Sequence, residues 1–209
     1  MYYLGINDTE HWDGIIDINF IQTRTVARNI WNQDLVYGHG DFDLNNDWII
    51  LKLDSPLEYN NDVRPACLPS PTWVPETDLD NHCFASGWGL LYHEGDLSED
   101  LQWVELPLVP NEVCKVTHGP SVTDSVICAG PPSGGKSVCQ GDSGGPLVCL
   151  NGTNFILTGV TSYGYDCGEH PGYYSGFARV KMALDWIKSS MVCIKLDYIL
   201  LIYVILIYL

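Results

Sequence analysis

Basic side chains are scarce in this chain. It has 10 Lys and Arg against 26 Asp and Glu, a formal net charge of −16 over 209 residues. No basic stripe exists to meet phosphates, which excludes a nucleic-acid partner. None of the cysteines forms a C-x-x-C pair, so zinc-ribbon and thioredoxin-type motifs are missing. No cofactor and no metal is expected. A leader is missing too, since Met1-Tyr2-Tyr3 runs into a polar, acidic segment rather than a signal peptide. Long apolar runs are short supply as well. The charge-free run at residues 198–209 has 12 residues, where a bilayer span needs about 20. The tail 191–209 therefore reads as non-native or as a cut-short anchor. Ser189-Ser190 would be the small-residue site if it were a lipid-anchor signal. Membrane contact is not expected unless that run belongs to an anchor.

Cysteine, by contrast, is plentiful. Eight are spread singly, at Cys67, Cys83, Cys114, Cys128, Cys139, Cys149, Cys167 and Cys193. That dispersal suits long-range disulfides and an oxidising compartment. Spacing alone leaves the pairing open. Two N-x-T sequons, at Asn7 and Asn151, could carry glycans. Both features place the chain outside the cell. A secreted chain without a leader is expected to lack part of its amino terminus.

Short apolar runs alternate with turn-formers. Residues 48–53, 84–89, 101–106, 146–149 and 156–161 read as strands, with Gly and Pro between them, as in Pro131-Pro132-Ser133-Gly134-Gly135. This pattern indicates an all-β barrel or sandwich. A helix is predicted over 182–190, with Ala183, Trp186 and Ile187 on one side. There is no internal repeat and no low-complexity linker.

One stretch carries chemistry. Residues 139–149 read CQGDSGGPLVC, a serine among glycines inside a frame of cysteines. Glycine adopts backbone angles barred to other residues. That freedom lets the N–H groups of Gly141 and Ser143 point into one small space. Two such donors can hold the oxyanion that forms when an acyl carbon turns tetrahedral. Gly144 and Gly145 keep side chains out of a substrate's way. A serine hydroxyl is a weak nucleophile, however, and needs a base.

The chain resembles the trypsin/chymotrypsin family of serine endopeptidases. The resemblance rests on Gly141-Asp142-Ser143-Gly144-Gly145-Pro146 with its flanking cysteines, on Asn46-Asp47-Trp48-Ile49, on Arg64-Pro65-Ala66-Cys67-Leu68-Pro69 and on Gly87-Trp88-Gly89. It continues through Ile127-Cys128-Ala129-Gly130, Val160-Thr161-Ser162-Tyr163-Gly164 and Asp185-Trp186-Ile187. These occur in the family's order over roughly residues 3–190. The resemblance implies two antiparallel six-stranded Greek-key barrels with a closing helix, the first barrel incomplete, in one domain of residues 1–190. It makes Ser143 the nucleophile and Asp47 the carboxylate that orients a histidine. Gly141 and Ser143 would form the oxyanion hole. Asp142 would pair with a newly cut amino terminus. Ser137, Ser162, Tyr163 and Gly164 would line the substrate pocket. With Ser137 at its base the pocket would be uncharged and would favour large apolar or aromatic side chains, although Asp166 near the rim could attract a basic one. The implied disulfides are Cys83–Cys149, Cys114–Cys128 and Cys139–Cys167, leaving Cys67 and Cys193 unpaired. Partners would be protein or peptide substrates and protease inhibitors.

The base is the missing part. In the family it precedes the aspartate by roughly 45 residues, which from Asp47 reaches the very start of this chain. No Ala-Ala-His-Cys-like motif occurs, and the six histidines, 11, 39, 82, 93, 118 and 170, fall elsewhere. His39 reads as a solvated loop residue. Without a base or an activation terminus, negligible peptidase activity is expected of this chain. Asp142 is expected to be an orphan carboxylate, with its loop relaxed into a zymogen-like form. The alternative is a non-catalytic pseudoprotease acting as a secreted binding module.

Overall fold

The computed structural model describes residues 2–4, 22–32, 47–60, 63–75 and 82–192. Asn7, His11, His39 and residues 193–209, Cys193 among them, lie outside them. The chain is mostly β-sheet. Strand β1 (Tyr2–Leu4) pairs with β2 (Gln22–Arg24), and β3 (Val26–Trp31) pairs with β4 (Ile49–Leu53), both antiparallel. The larger sheet is built from β5 (Cys83–Gly87), β6 (Gln102–Glu105), β7 (Leu108–Val109), β8 (Val126–Ala129), β9 (Pro146–Asn151), β10 (Asn154–Tyr163) and β11 (Ser175–Arg179). Two helices accompany it, α1 (Asn111–His118) and α2 (Val180–Val192).

The strand order β6-β5-β9-β10-β11-β8-β7 reads as an open sheet of seven. Its two ends are one piece of chain. β6 pairs with β5, and the ladder continues through Leu106 N–H to the Cys83 carbonyl at 2.9 Å. Two residues later the same segment pairs with β8, where Gly130 N–H reaches the Pro107 carbonyl at 2.9 Å. Residues 102–109 thus form a single bent strand shared by both edges, and the sheet closes on itself as six strands. Closure leaves no free edge. Pro107, which has no N–H to give, sits at the bend where no ladder donor is required.

The alternation of side chains along each strand fills this barrel. Cys83 and Ala85, Ile127 and Ala129, Leu147 and Cys149, and Phe177 point inward around Leu106 and Val138. The opposite faces of β10 and β11 present Leu157, Val160 and Ala178. Against them pack Trp48 and Ile50 from the β4 segment and Val180, Ala183 and Ile187 from α2. The helix residues recur at the 3.6-residue period, which gives α2 one apolar face. This second core fixes the β4 segment, and Asp47 with it, against the barrel. The 182–190 helix extends further than predicted at both ends, and α1 had no counterpart in the sequence reading.

Among the described residues three disulfides are formed: Cys83–Cys149, Cys114–Cys128 and Cys139–Cys167. The first joins two residues that face each other across β5 and β9. Cys67 is free and exposed.

Candidate active site

Ser143 lies in the loop leading into β9. The loop is tied internally by Asp142 N–H to the Cys139 carbonyl (3.0 Å) and Gly145 N–H to the Asp142 carbonyl (2.8 Å). It is tied to β10 by a reciprocal pair, Gly144 N–H to the Thr161 carbonyl and Thr161 N–H to the Gly145 carbonyl, both 2.9 Å. A side chain at position 145 would stand 2.8 Å from the Asp142 carbonyl oxygen and 3.0 Å from that of Ser86. Only glycine lets the loop approach this closely. Gly141, at φ +96°, and Gly144, at φ +80°, occupy the left-handed region.

These ties set Ser143 beside the end of β10. Ser143, Gly141, Ser162, Tyr163 and Gly164 all line one cavity of about 340 Å³. Val138, Gln140, Thr161 and the Cys139–Cys167 disulfide complete its wall. The sequence reading had not picked out Gln140 or Thr161. Among the described residues, the N–H groups of Gly141 and Ser143 have no acceptor. Ser137 stands behind the wall, its Oγ 3.8 Å from where a Gly164 side chain would begin. That hydroxyl is within 2.8 Å of both Ser175 Oγ and the Val138 carbonyl, so it is neutral and hydrogen-bonded within the protein.

Asp47 comes to the site through Ser162. The Ser162 hydroxyl donates to Asp47 Oδ2 at 3.3 Å. Burial pushes the Asp47 carboxyl up to about 6, and the Ser162 hydrogen bond offsets only part of that. One residue, Ser162, therefore touches both the cavity that holds Ser143 and the carboxylate at 47.

Asp142 corrects an expectation. Its carboxylate is not an orphan. Oδ1 accepts the Gly89 N–H at 2.8 Å, and Oδ2 accepts the Cys139 N–H at 2.9 Å. Two backbone donors thus occupy both carboxylate oxygens. The carboxylate is also closely walled by glycine. A Cβ on Gly87 would lie 2.1 Å from Asp142 Oδ1, and one on Gly89 would lie 2.6 Å from Asp142 Cγ. The Gly-Trp-Gly at 87–89 is thus the cradle of Asp142, a role the sequence reading did not give it.

The described histidines are engaged elsewhere. His82 pairs with Glu105, His93 and His170 flank Asp166, and His118 Nε2 accepts the Tyr174 N–H at 3.4 Å. Burial holds the His118 imidazole below its usual range. None of them is hydrogen-bonded to Ser143 or Asp47 in the structure. Asn151 is exposed beside a two-residue hairpin turn in which Gly152 takes φ +62°.

A closed β-barrel with a serine flanked by glycines at its rim and a half-buried aspartate brought in from the segment leading into β4 is the arrangement of a chymotrypsin-type hydrolase fold. The trypsin family profile matches residues 3–187, and the chain belongs to the trypsin family. It is 38% identical over 173 residues to trypsin-1 of Astacus astacus, covering 82% of this chain and 69% of that protein. It is 39% identical over 155 residues to kallikrein 1-related peptidase b3 of Mus musculus, covering 72% of this chain and 55% of that protein. No helix among the described residues is long and apolar enough to cross a membrane.

Proposed function

We propose that this chain carries the acyl-transfer site of a secreted serine endopeptidase acting on protein or peptide substrates. Ser143 Oγ attacks the scissile carbonyl. The Gly141 and Ser143 N–H groups receive the oxyanion, which is why two unpaired amides beside a nucleophile are the observation that carries the reading. Asp142, held by its two amide bonds, fixes the loop that aims them. Asp47 is the group that orients a histidine and stabilises the imidazolium, and its burial suits it to a cationic partner. The side chain preceding the cleaved bond enters the cavity along Gly164 towards the neutral Ser137. A large apolar or aromatic residue fits best there, because no described carboxylate lines that cavity.

No described histidine serves Ser143, and loss of the base from such a triad lowers turnover by about 10⁶. The same observation favours a second reading, in which the cleft binds polypeptides without cleaving them.

The two readings separate with an active-site fluorophosphonate probe on the purified chain. Labelling that disappears in Ser143→Ala supports the enzyme. Labelling that persists in Ser143→Ala refutes the assignment of the nucleophile. Absence of labelling at any probe concentration, with peptide binding retained, supports the binding module.

A further inference from the structure

The hairpin between β9 and β10 holds an acceptor sequence that the cleft does not use. Asn151-Gly152-Thr153 meets the N-x-S/T rule with a middle residue other than proline. Asn151 closes β9, Asn154 opens β10, and the two face each other as the last pair of the ladder. Gly152 takes φ +62° while Thr153 keeps a negative φ, the pattern of a II′ turn with glycine at its first central position. All four residues are exposed. Among the described residues the side chains of Asn151 and Thr153 make no hydrogen bond. A Cβ on Gly152 would meet no atom within 4 Å, so the space over the turn is open. The strand end is held by backbone instead, through Leu150 N–H to the His82 carbonyl at 2.9 Å. An amide that is exposed, unbonded and unobstructed can take a bulky group without disturbing the ladder beneath it.

We propose that Asn151 carries an N-linked glycan, set at the end of the barrel away from the cleft. Asn151 Nδ2 attacks the anomeric carbon of a lipid-pyrophosphate-linked oligosaccharide. A carbon–nitrogen bond forms, and the bond from that carbon to the pyrophosphate oxygen breaks. The lipid pyrophosphate leaves with the electron pair, and one Nδ2 proton passes to a base of the transferase. The Thr153 hydroxyl is the other group by which the sequence is recognised. Three disulfides place the chain in an oxidising secretory compartment, where such donors are used. Strand β9 separates the sugar from the nucleophile. It runs Pro146–Asn151, so at the usual rise of a strand the acceptor stands roughly 17 Å along it from Pro146. Ser143 lies beyond the opposite end. The cavity beside Ser143 is lined by no residue of the hairpin turn. The glycan therefore adds bulk and hydration clear of the cavity. The proposal rests on the secreted part of the functional reading and not on catalysis.

The full chain, directed into the secretory pathway of cultured insect cells by a supplied leader, tests the site. Digestion with a peptide N-glycosidase releases the sugar and turns its asparagine into aspartate, which peptide mass mapping reads at position 151. Secreted and cell-retained chain are both digested, so a variant that folds poorly is still scored. Conversion at position 151 is expected in the wild-type chain. It should be lost in Asn151→Gln and in Thr153→Ala, and kept in Asn7→Gln and in Asn154→Gln. An unmodified Asn151 in the wild-type chain, whether secreted or retained, overturns the proposal. So does conversion at 151 that persists in Thr153→Ala. The fluorophosphonate probe keeps this result apart from the peptidase reading. A chain with sugar at Asn151 but no labelling leaves the glycan site standing, whereas a labelled chain bare at Asn151 removes the site and leaves the peptidase intact.

Discussion

The Asp47 carboxyl lets electrostatics be tested apart from catalysis. Burial raises it from 3.8 to about 6, so the folded protein holds this proton more tightly than the unfolded chain does. Below pH 4 both states are protonated and the group costs nothing. Between pH 4 and pH 6 the unfolded chain releases its proton first, and stability falls as pH rises. Above pH 6 the penalty is constant. A shift of this size corresponds to roughly 3 kcal/mol before solvent screening and about 1–2 kcal/mol after discounting for partial exposure. Asp47→Asn keeps the size and the capacity to accept from Ser162 while removing the charge. It should therefore raise the free energy of unfolding by about 1–2 kcal/mol at pH 7.5 and leave it unchanged at pH 3.5. Urea unfolding followed by tryptophan fluorescence at the two pH values measures this directly. A variant equally or less stable at pH 7.5, or one stabilised by the same amount at both pH values, would refute the assignment of desolvation as the cause. A group that destabilises the fold when charged, yet stands beside the cleft, is what an orienting carboxylate awaiting a cation would be.

Gly87→Ala should displace the Asp142 carboxylate, because the new carbon would lie 2.1 Å from Oδ1. The expected cost is about 1–3 kcal/mol, with loss of any Ser143-dependent probe labelling; wild-type stability with labelling intact would show that the cradle is not tight. Replacing Cys114 and Cys128 together by serine removes a cross-link between residues 14 apart. It should lower stability by about 3 kcal/mol, seen as a reduced urea midpoint, and should loosen the packing of the cavity residue Tyr163, which rests on the cluster that holds this disulfide; an unchanged midpoint would refute the estimate.

Features with a short period were readable from the sequence. Helix α2 follows the spacing of Ala183 and Ile187, whereas the inward set of the barrel strands carries no such mark, since residues 83–85, 127–129 and 147–149 are apolar at every position. Helix α1 was not readable, since Val113 is 45% exposed and Val116 83% exposed. Only Cys114 of that helix is buried, so no apolar stripe marks it. The closure of the barrel was hidden for a different reason. It depends on one segment changing partners at Leu106 and Pro107, and partner choice is not a local property.

The same distinction explains the site. Ser143 and its glycines were legible because the constraint is local: a tight loop needs residues that tolerate positive φ. The support of Asp142 was not, because Gly89 reaches it across 53 positions of chain. An isolated carboxylate was therefore expected where two amides in fact hold it. Asp47 lies between these cases. Nothing in Asn46-Asp47-Trp48 says that the aspartate will reach a serine 115 positions later. The adjacent Trp48 decides it, since that ring is buried against the outer faces of β10 and β11 and under α2. Hydrophobic burial, which has no direction of its own, thereby fixes a charged group within hydrogen-bond reach of Ser162. Packing of the second core carries the polar geometry of the cleft, and loss of the Trp48 anchor would unseat Asp47 without altering a single polar residue.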